Sequence, residues 1–328
     1  MIIPVNISVV VPTYKRPALL KKCLDALREQ TYWRTFYEVI VVADGPDPET
    51  EAVVNRFLHE KPDCAVSFHH LPAKKGPAAA RNYGWEQSSG ELIVFTDDDC
   101  IPDPCWLEAF AARYQALARG LVAFTGKVVV PISERPTDYE KNVAHLATAA
   151  FITANCACSR AALKMTGGFD EEFPIAWRED SDLEFKLLEG NIPIIHVPEA
   201  AICHPVREAG WGVSLAEQRK SMFNALLFKK HPLFYRSKIA AGPVWTYYII
   251  ILASIAVVFG LIANMPLITA SALAVWAIAI ASFIVKRLKG TSDSLSHRME
   301  MIFTSLIIPY ISVYWTLRGA LRYKVFFL

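Results

Sequence analysis

Net charge is the first thing this chain lacks. Over 328 residues, 34 Lys and Arg stand against 32 Asp and Glu, a formal +2. That leaves no basic footprint for a nucleic-acid backbone. The seven cysteines, Cys23, Cys64, Cys100, Cys105, Cys156, Cys158 and Cys203, are odd in number and never spaced C-x-x-C. They argue against a disulfide framework and a structural zinc site, and read as reduced cytosolic thiols. No G-x-G-x-x-G follows the first strand-like run, and no G-x-x-x-x-G-K-[ST] occurs. A dinucleotide-binding fold and a P-loop nucleotidase are therefore disfavoured. The start, Met1-Ile2-Ile3-Pro4, has no charged region, long apolar region and cleavage site of the signal-peptide kind. The polar part of the chain is expected to stay in the cytosol.

Charge is also scarce after about residue 243, where most of the apolar excess behind the mean hydropathy of +0.26 is concentrated. Val244–Ala263 and Leu267–Val285 carry no formal charge over 20 and 19 residues, each enough to cross ~30 Å of hydrocarbon at 1.5 Å per residue. Asn264-Met265-Pro266 leaves room only for a hairpin between them. Trp245, Tyr247 and Tyr248 mark one interface. Lys229, Lys230, Arg236 and Lys238 precede the first span, and Lys286, Arg287, Lys289 and Arg298 follow the second. The positive-inside rule then puts both flanks, and the N-terminal part, in the cytoplasm of a cell-membrane protein. A third span is expected over 301–317, although it carries Pro309. Spanning there would place Arg318, Arg322 and Lys324 outside, against the charge rule, whereas lying flat would keep them inside. The expected division is a catalytic domain over 1–235 and a membrane domain over 236–328. An amphipathic helix near 214–230 would set Arg219, Lys220, Lys229 and Lys230 at anionic headgroups.

Residues 1–235 alternate between short apolar runs and helical patterns. Ile7–Val11, Glu38–Ala43, Ala65–Leu71 and Leu92–Thr96 read as strands. Pro17–Gln30, Glu49–Glu60 and Pro77–Ser88 read as helices, with proline opening the first. The alternation predicts an α/β fold whose mostly parallel sheet is covered on both faces. Ligands of such sheets sit beyond the carboxyl ends of the strands. The loops there are polar: Pro12-Thr13-Tyr14-Lys15-Arg16-Pro17, Asp44-Gly45-Pro46-Asp47 and Asp97-Asp98-Asp99.

Three aspartates in succession at a strand's end repel one another unless a cation neutralises them. Asp97 and Asp99, as alternate residues, can face one ligand. Carboxylate oxygens suit Mg²⁺ or Mn²⁺, which leave coordination positions for a substrate's phosphates. A solvated turn is the plainer reading of the same run.

Five pieces stand in order: Val9-Val10-Val11-Pro12-Thr13-Tyr14, Val42-Ala43-Asp44-Gly45, Gly76 through Ala80-Arg81-Asn82, Thr96-Asp97-Asp98-Asp99, and Gly167-Gly168-Phe169-Asp170 leading to Glu179-Asp180-Ser181-Asp182-Leu183. Over about residues 7–205 the chain thereby resembles a family 2 glycosyltransferase with the GT-A fold. The resemblance implies a nucleotide-sugar site. Pro12, Thr13, Tyr14 and Arg16 would line the nucleotide pocket, Asp44 would hydrogen-bond the base, typically uracil, and Arg81 would sit beside both. Asp97 and Asp98 would lie on the donor side. Asp97, Asp99 and, as in some relatives, His204 would hold Mn²⁺ or Mg²⁺. Gly168 and Glu179 would lie on the sugar side, with Trp211 either stacking on a sugar or packing at the membrane surface. An acceptor hydroxyl must lose a proton to attack the anomeric carbon, and Asp180 is the expected base.

The family's processive synthases carry Q-x-x-R-W before their membrane helices; here the neighbourhood reads Gln218-Arg219-Lys220-Ser221-Met222. Transfer of one sugar, from a donor of the UDP-sugar class to a lipid-linked acceptor, is the resulting expectation. A polyprenyl-phosphate sugar synthase is the alternative, with a catalytically inactive membrane scaffold behind it.

Overall fold

A computed structural model describes residues 4–60 and 64–327. The chain forms two compact units. One runs up to Pro131 and resumes over His145–Val206; the other joins Ile132–Ala144 to Arg207–Leu328.

The first unit is built on eight strands: β1 Ile7–Thr13, β2 Tyr37–Ala43, β3 Ala65–His70, β4 Leu92–Thr96, β5 Ile101–Pro102, β6 Ala123–Val129, β7 Asn155–Ser159 and β8 Ile194–Cys203. They form one sheet in the order β3-β2-β1-β4-β7-β6-β8-β5. The first four strands pair in parallel, Val10 lying between Ile40 and Phe95, whereas β7 joins β4 and β6 antiparallel. This is the mixed sheet of a GT-A-like fold. Strand β1 is buried along its whole length, as expected of a central strand covered on both faces. The chain passes from β3 back over β2 and β1 to reach β4, so the order reverses beside β1. In an open α/β sheet a crevice opens at such a point.

Helices α1 Pro17–Arg28, α2 Pro48–His59, α3 Pro77–Gln87, α4 Trp106–Ala116, α6 Arg160–Thr166 and α7 Glu179–Glu189 flank the sheet, while α5, Asp138–Ala144, belongs to the second unit. On one face Leu24, Phe57, Trp106 and Phe110 pack on Val9, Val11 and Val41. On the other, Trp85, Phe169 and Leu183 pack on Val10 and Phe95. The small residues Ala78, Ala79, Ala80 and Gly84 let α3 lie close to the sheet. A Cβ on Gly84 would run into Val10 Cγ1. This close seat carries Arg81 into the interior.

In the second unit, α8 Val213–Glu217 and α9 Met222–Lys230 precede a short turn, α10 Pro232–Phe234. Three long helices follow: α11 Trp245–Ile262, α12 Pro266–Leu288 and α13 Leu295–Tyr323. All three are long and apolar enough to cross a membrane, with mean hydropathy of 2.2, 2.3 and 1.3 over their most apolar windows. Arg287, at the end of α12, donates to Asp138 Oδ2 at 2.7 Å and Ser214 Oγ at 3.2 Å. It also donates to Thr304 Oγ1 at 2.6 Å and Ser305 Oγ at 3.1 Å. One guanidinium thus ties four segments of this unit together.

Candidate active site

The carboxyl ends of β1, β2 and β4 bring the polar loops into one crevice. At the end of β1, Thr13 Oγ1 donates to Asp98 Oδ2 at 2.8 Å and Arg16 Nη1 donates to Asp98 Oδ1 at 3.2 Å. Asp98 is buried, so the middle aspartate of the three turns inward and braces the first loop. Burial pushes its carboxyl up to about 6; Asp99 and Asp97 push the same way, against Arg16 and Thr13. Asp98, expected on the donor side, thus holds Thr13 and Arg16, the residues expected to line the nucleotide pocket, from the turn that follows β4.

At the end of β2, Asp44 accepts the backbone N–H of Lys75 at 2.7 Å and of Gly76 at 2.9 Å. It fixes the loop that opens α3. Asp47 accepts from Lys15 N at 2.6 Å and from Thr50 N and Oγ1, capping α2. Above this loop the Lys74 ammonium lies 3.9 Å from the centre of the Tyr14 ring, a cation–π contact. Lys15 and Lys74 put positive charge beside Tyr14, a feature that the sequence reading did not single out.

Arg81 was expected beside the nucleotide base and Asp44. Its fully buried guanidinium donates to Asp97 Oδ1 at 2.7 Å and to Glu179 Oε1 at 3.2 Å. The acidic loop after β4 is thereby joined to the first turn of α7. Burial would lower the Arg81 pKa, but Asp97 and Glu179 raise it overall. The same helix holds Asp180, whose Oδ1 accepts from Ser181 N at 2.7 Å. The sequence placed Asp180 just before a helix; α7 starts at Glu179, so Asp180 lies inside its first turn. Burial raises Glu179, helped by the charge of Asp180, and burial also raises Asp180, opposed by Ser181, Arg178 and Arg81.

The sheet supplies His204. Cys203 pairs with Ile101 and Val129, and His204 N donates to Val129 O at 2.8 Å. This register carries a histidine from far along the chain to Asp99, with Nε2 3.7 Å from Asp99 Oδ1. The donor atoms of Asp99, Cys100 and His204 lie within 4.8 Å of one another. His204 Nδ1 is buried with no hydrogen-bond partner among the described residues. An imidazole beside a carboxylate, with part of Asp97 exposed nearby in sequence, fits a divalent cation. Cys100, read from the sequence as one of seven ordinary reduced thiols, lies beside this pair; burial, then Asp97 and Asp99, raise its thiol well above the ordinary value, so it stays protonated and adds no charge.

Gly168, expected close to the sugar, packs on α3. Its φ is +70°, and a Cβ there would stand 2.7 Å from Asn82 Oδ1. Asn82 grips the same loop, donating to Phe169 O at 2.9 Å and accepting from Phe169 N at 2.9 Å. Trp211 lies in the second unit, its ring 5.5 Å from Phe303.

Comparisons with known proteins bear on the family and the fold. A model described as glycosyl transferase family 2 matches residues 8–154, and one described as glycosyl transferase family group 2 matches residues 92–285. The chain is 37% identical over 102 residues to the glycosyltransferase AglE of Haloferax volcanii, covering 31% of this chain and 33% of that protein. It is 36% identical over 94 residues to the GalNAc(5)-diNAcBac-PP-undecaprenol beta-1,3-glucosyltransferase of Campylobacter jejuni, covering 29% of each. The matches thus span about a third of these curated relatives. Among solved structures, the mannosyltransferase PcManGT of Pyrobaculum calidifontis, in complex with GDP-Man and Mn²⁺, superposes with a TM-score of 0.55 at 22% identity. That match covers 97% of this chain and 85% of the other. The likeness is one of fold.

Proposed function

The chain belongs to family 2 of the glycosyltransferases, enzymes acting on nucleotide sugars, and from that premise we propose that it transfers one sugar, with inversion, from a nucleotide-diphosphate donor of the UDP-sugar class to a lipid-linked acceptor at the cytoplasmic face of a cell membrane. One observation carries this reading: Arg81 joins Asp97 of the acidic loop to Glu179, the neighbour of Asp180, so the two halves that a transfer needs are built as one unit.

Asp180 removes the proton of the acceptor hydroxyl as its oxygen bonds to the anomeric carbon and the bond to the diphosphate breaks. A carboxyl raised by burial is a stronger base at neutral pH than an ordinary one, which suits this role. Asp97, Asp99 and His204 would hold Mn²⁺ or Mg²⁺, which when bound offsets charge growing on the leaving diphosphate. Thr13 and Arg16, fixed through Asp98, shape the first loop, while Asp44 and Asp47 set the loops around Tyr14. Glu179 and Arg81 position Asp180 and Asp97. The lipid-linked acceptor is supported by the three apolar helices and by the similarity to the Campylobacter relative, whose name contains a PP-undecaprenol group.

The test uses detergent-purified protein with a panel of nucleotide sugars, membrane lipid extract, and Mn²⁺ or Mg²⁺, and reads nucleoside diphosphate release. One donor should give release that depends on both lipid and metal and disappears in Asp99→Ala and Asp180→Ala. Activity that survives in Asp180→Ala but not in Asp99→Ala points instead to a lipid phosphate acceptor, which is already ionised and needs no base. No turnover or binding of any donor would sink the enzymatic reading and favour a scaffold.

A further inference from the structure

Three helices can cross a membrane by length and composition, but the contacts within the second unit treat them unequally. Helices α11 and α12 form a hairpin. Helix α13 crosses it between its base and its middle: at the base Arg287 reaches Thr304 and Ser305, and at mid-length Tyr310 Oη lies 2.6 Å from Ser254 Oγ and accepts from Trp276 Nε1 at 3.0 Å. Beyond that crossing the outer half of the hairpin is bare. Phe259, Leu261, Ile262 and Leu267 are all exposed.

The rest of α13 is lined by a different companion, the charged segment 211–236. Gly212 N donates to Glu300 Oε1 at 2.7 Å, the Arg219 guanidinium lies 5.8 Å from the Trp315 ring, and Phe228 meets Phe327 at 5.8 Å between ring centres. Near the far end Gly319 sits so close to α9 that a Cβ there would strike the carbonyl of Met222. Contacts thus advance together along the two segments. From Glu300 to Gly319 is roughly 28 Å of helix at 1.5 Å per residue, close to the ~30 Å thickness of the hydrocarbon. If α13 spanned, its companion between Gly212 and Met222 would cross with it, carrying Glu217, Arg219 and Lys220 through the hydrocarbon. Charged side chains at that depth are costly.

We propose that α13 does not cross the membrane: it lies along the lipid surface beside 211–236, and the pair forms an interfacial platform from which only the α11–α12 hairpin enters the bilayer. The sequence of α13 fits this. Leu295, Met299, Ile302, Phe303, Leu306, Tyr314, Leu317 and Leu321 are exposed and recur at helical spacing, making one apolar stripe along the helix. Thr304 and Ser305 point the other way, towards Arg287, and Met301, Ile308 and Gly319 are buried with them. Arg298, Arg318 and Arg322 fall outside the stripe. With Arg219, Lys220, Lys229, Lys230, Arg236, Lys238 and Lys324 they outnumber Glu217 and Glu300, which suits negatively charged headgroups. The lower hydropathy of α13, 1.3 against 2.2 and 2.3, agrees. The arrangement also satisfies the charge rule, which a third crossing breaks.

The proposal is independent of the enzymatic reading and is tested without it. The full-length chain is expressed in a bacterial inner membrane with green fluorescent protein or alkaline phosphatase at its C-terminus, and with phosphatase inserted after Asn264 as a control. The C-terminal fluorescent protein should glow and the C-terminal phosphatase should be inactive, while phosphatase at Asn264 is active. An active C-terminal phosphatase overturns the proposal. Depth separates a flat helix from a re-entrant one. With Cys105 and Cys203 replaced by serine, nitroxides are placed singly at Ile302, Leu306, Tyr314, Leu317 and Leu321 in liposomes containing anionic phospholipid. All five should report one shallow depth. A depth that changes steadily, or is greatest in the middle, overturns it.

Discussion

At the scale of single residues, the site turns on a buried arginine. Arg81 is enclosed with two carboxylates, and removing one member of a buried charged group leaves the others without compensation, typically at a cost of about 3–5 kcal/mol. Arg81→Met should therefore lower stability by about that much, seen as a reduced denaturant midpoint in detergent, and should abolish turnover. Arg81→Lys keeps the charge but not the planar fork that reaches Asp97 and Glu179 together. It should recover most of the stability and little of the rate. The neighbouring pair sets the pH response. Burial holds Glu179 and Asp180 protonated to higher pH than ordinary carboxyls, and a base works only when deprotonated. The acid limb of kcat/KM should thus lie above the usual aspartate value of about 3.9, and it should vanish from the residual rate of Asp180→Asn. A limb at or below that value would exclude Asp180 in its raised state as the base.

At the scale of elements, two helices show how local sequence fixes the site. Helix α3 reaches the sheet because Gly84 offers no side chain. Gly84→Leu should push the helix outward at about 1–3 kcal/mol of strain and carry Arg81 away from Asp97. Both effects are readable as lost stability and lost turnover. Helix α2 is capped by Asp47, and Asp47→Ala should cost about 1 kcal/mol. Burial would raise the Asp47 carboxyl, but the hydrogen bonds from Thr50 and Lys15 N lower it overall. A carboxyl depressed in the folded state stabilises fully above its ordinary pKa and loses that contribution as pH falls through the folded value. The gap between wild type and Asp47→Ala should accordingly be constant near neutrality and close below about pH 3.9. These elements were legible beforehand. The structure has Pro17–Arg28 where Pro17–Gln30 was expected, and Leu92–Thr96 where the same run was read, because proline starts and short β-branched runs are local signals. The carboxylate partners of Arg81 were not legible, and His204 was expected beside Asp99 only from the family resemblance. These contacts depend on how tightly α3 seats and on a sheet register between β5, β6 and β8, neither of which leaves a periodic trace in the sequence.

At the scale of the whole molecule, the junction segment 132–144 was invisible in the sequence, since nothing in its composition says that it joins 207–328. Arg287 is what makes that association specific. Arg287→Ala would leave the half-buried Asp138 without its ion pair and release Thr304, Ser305 and Ser214 from their shared donor. It should lower the melting temperature in detergent by several degrees, whereas Arg135→Ala, whose exposed pair with Asp293 is open to solvent, should change it by little. The hairpin itself has a further consequence. Its turn, Ala263 to Met265, is short and uncharged, so on the proposed topology the only polar side chain that the hairpin offers the opposite face of the membrane is the neutral amide of Asn264, and contact there should be insensitive to salt and to lipid charge.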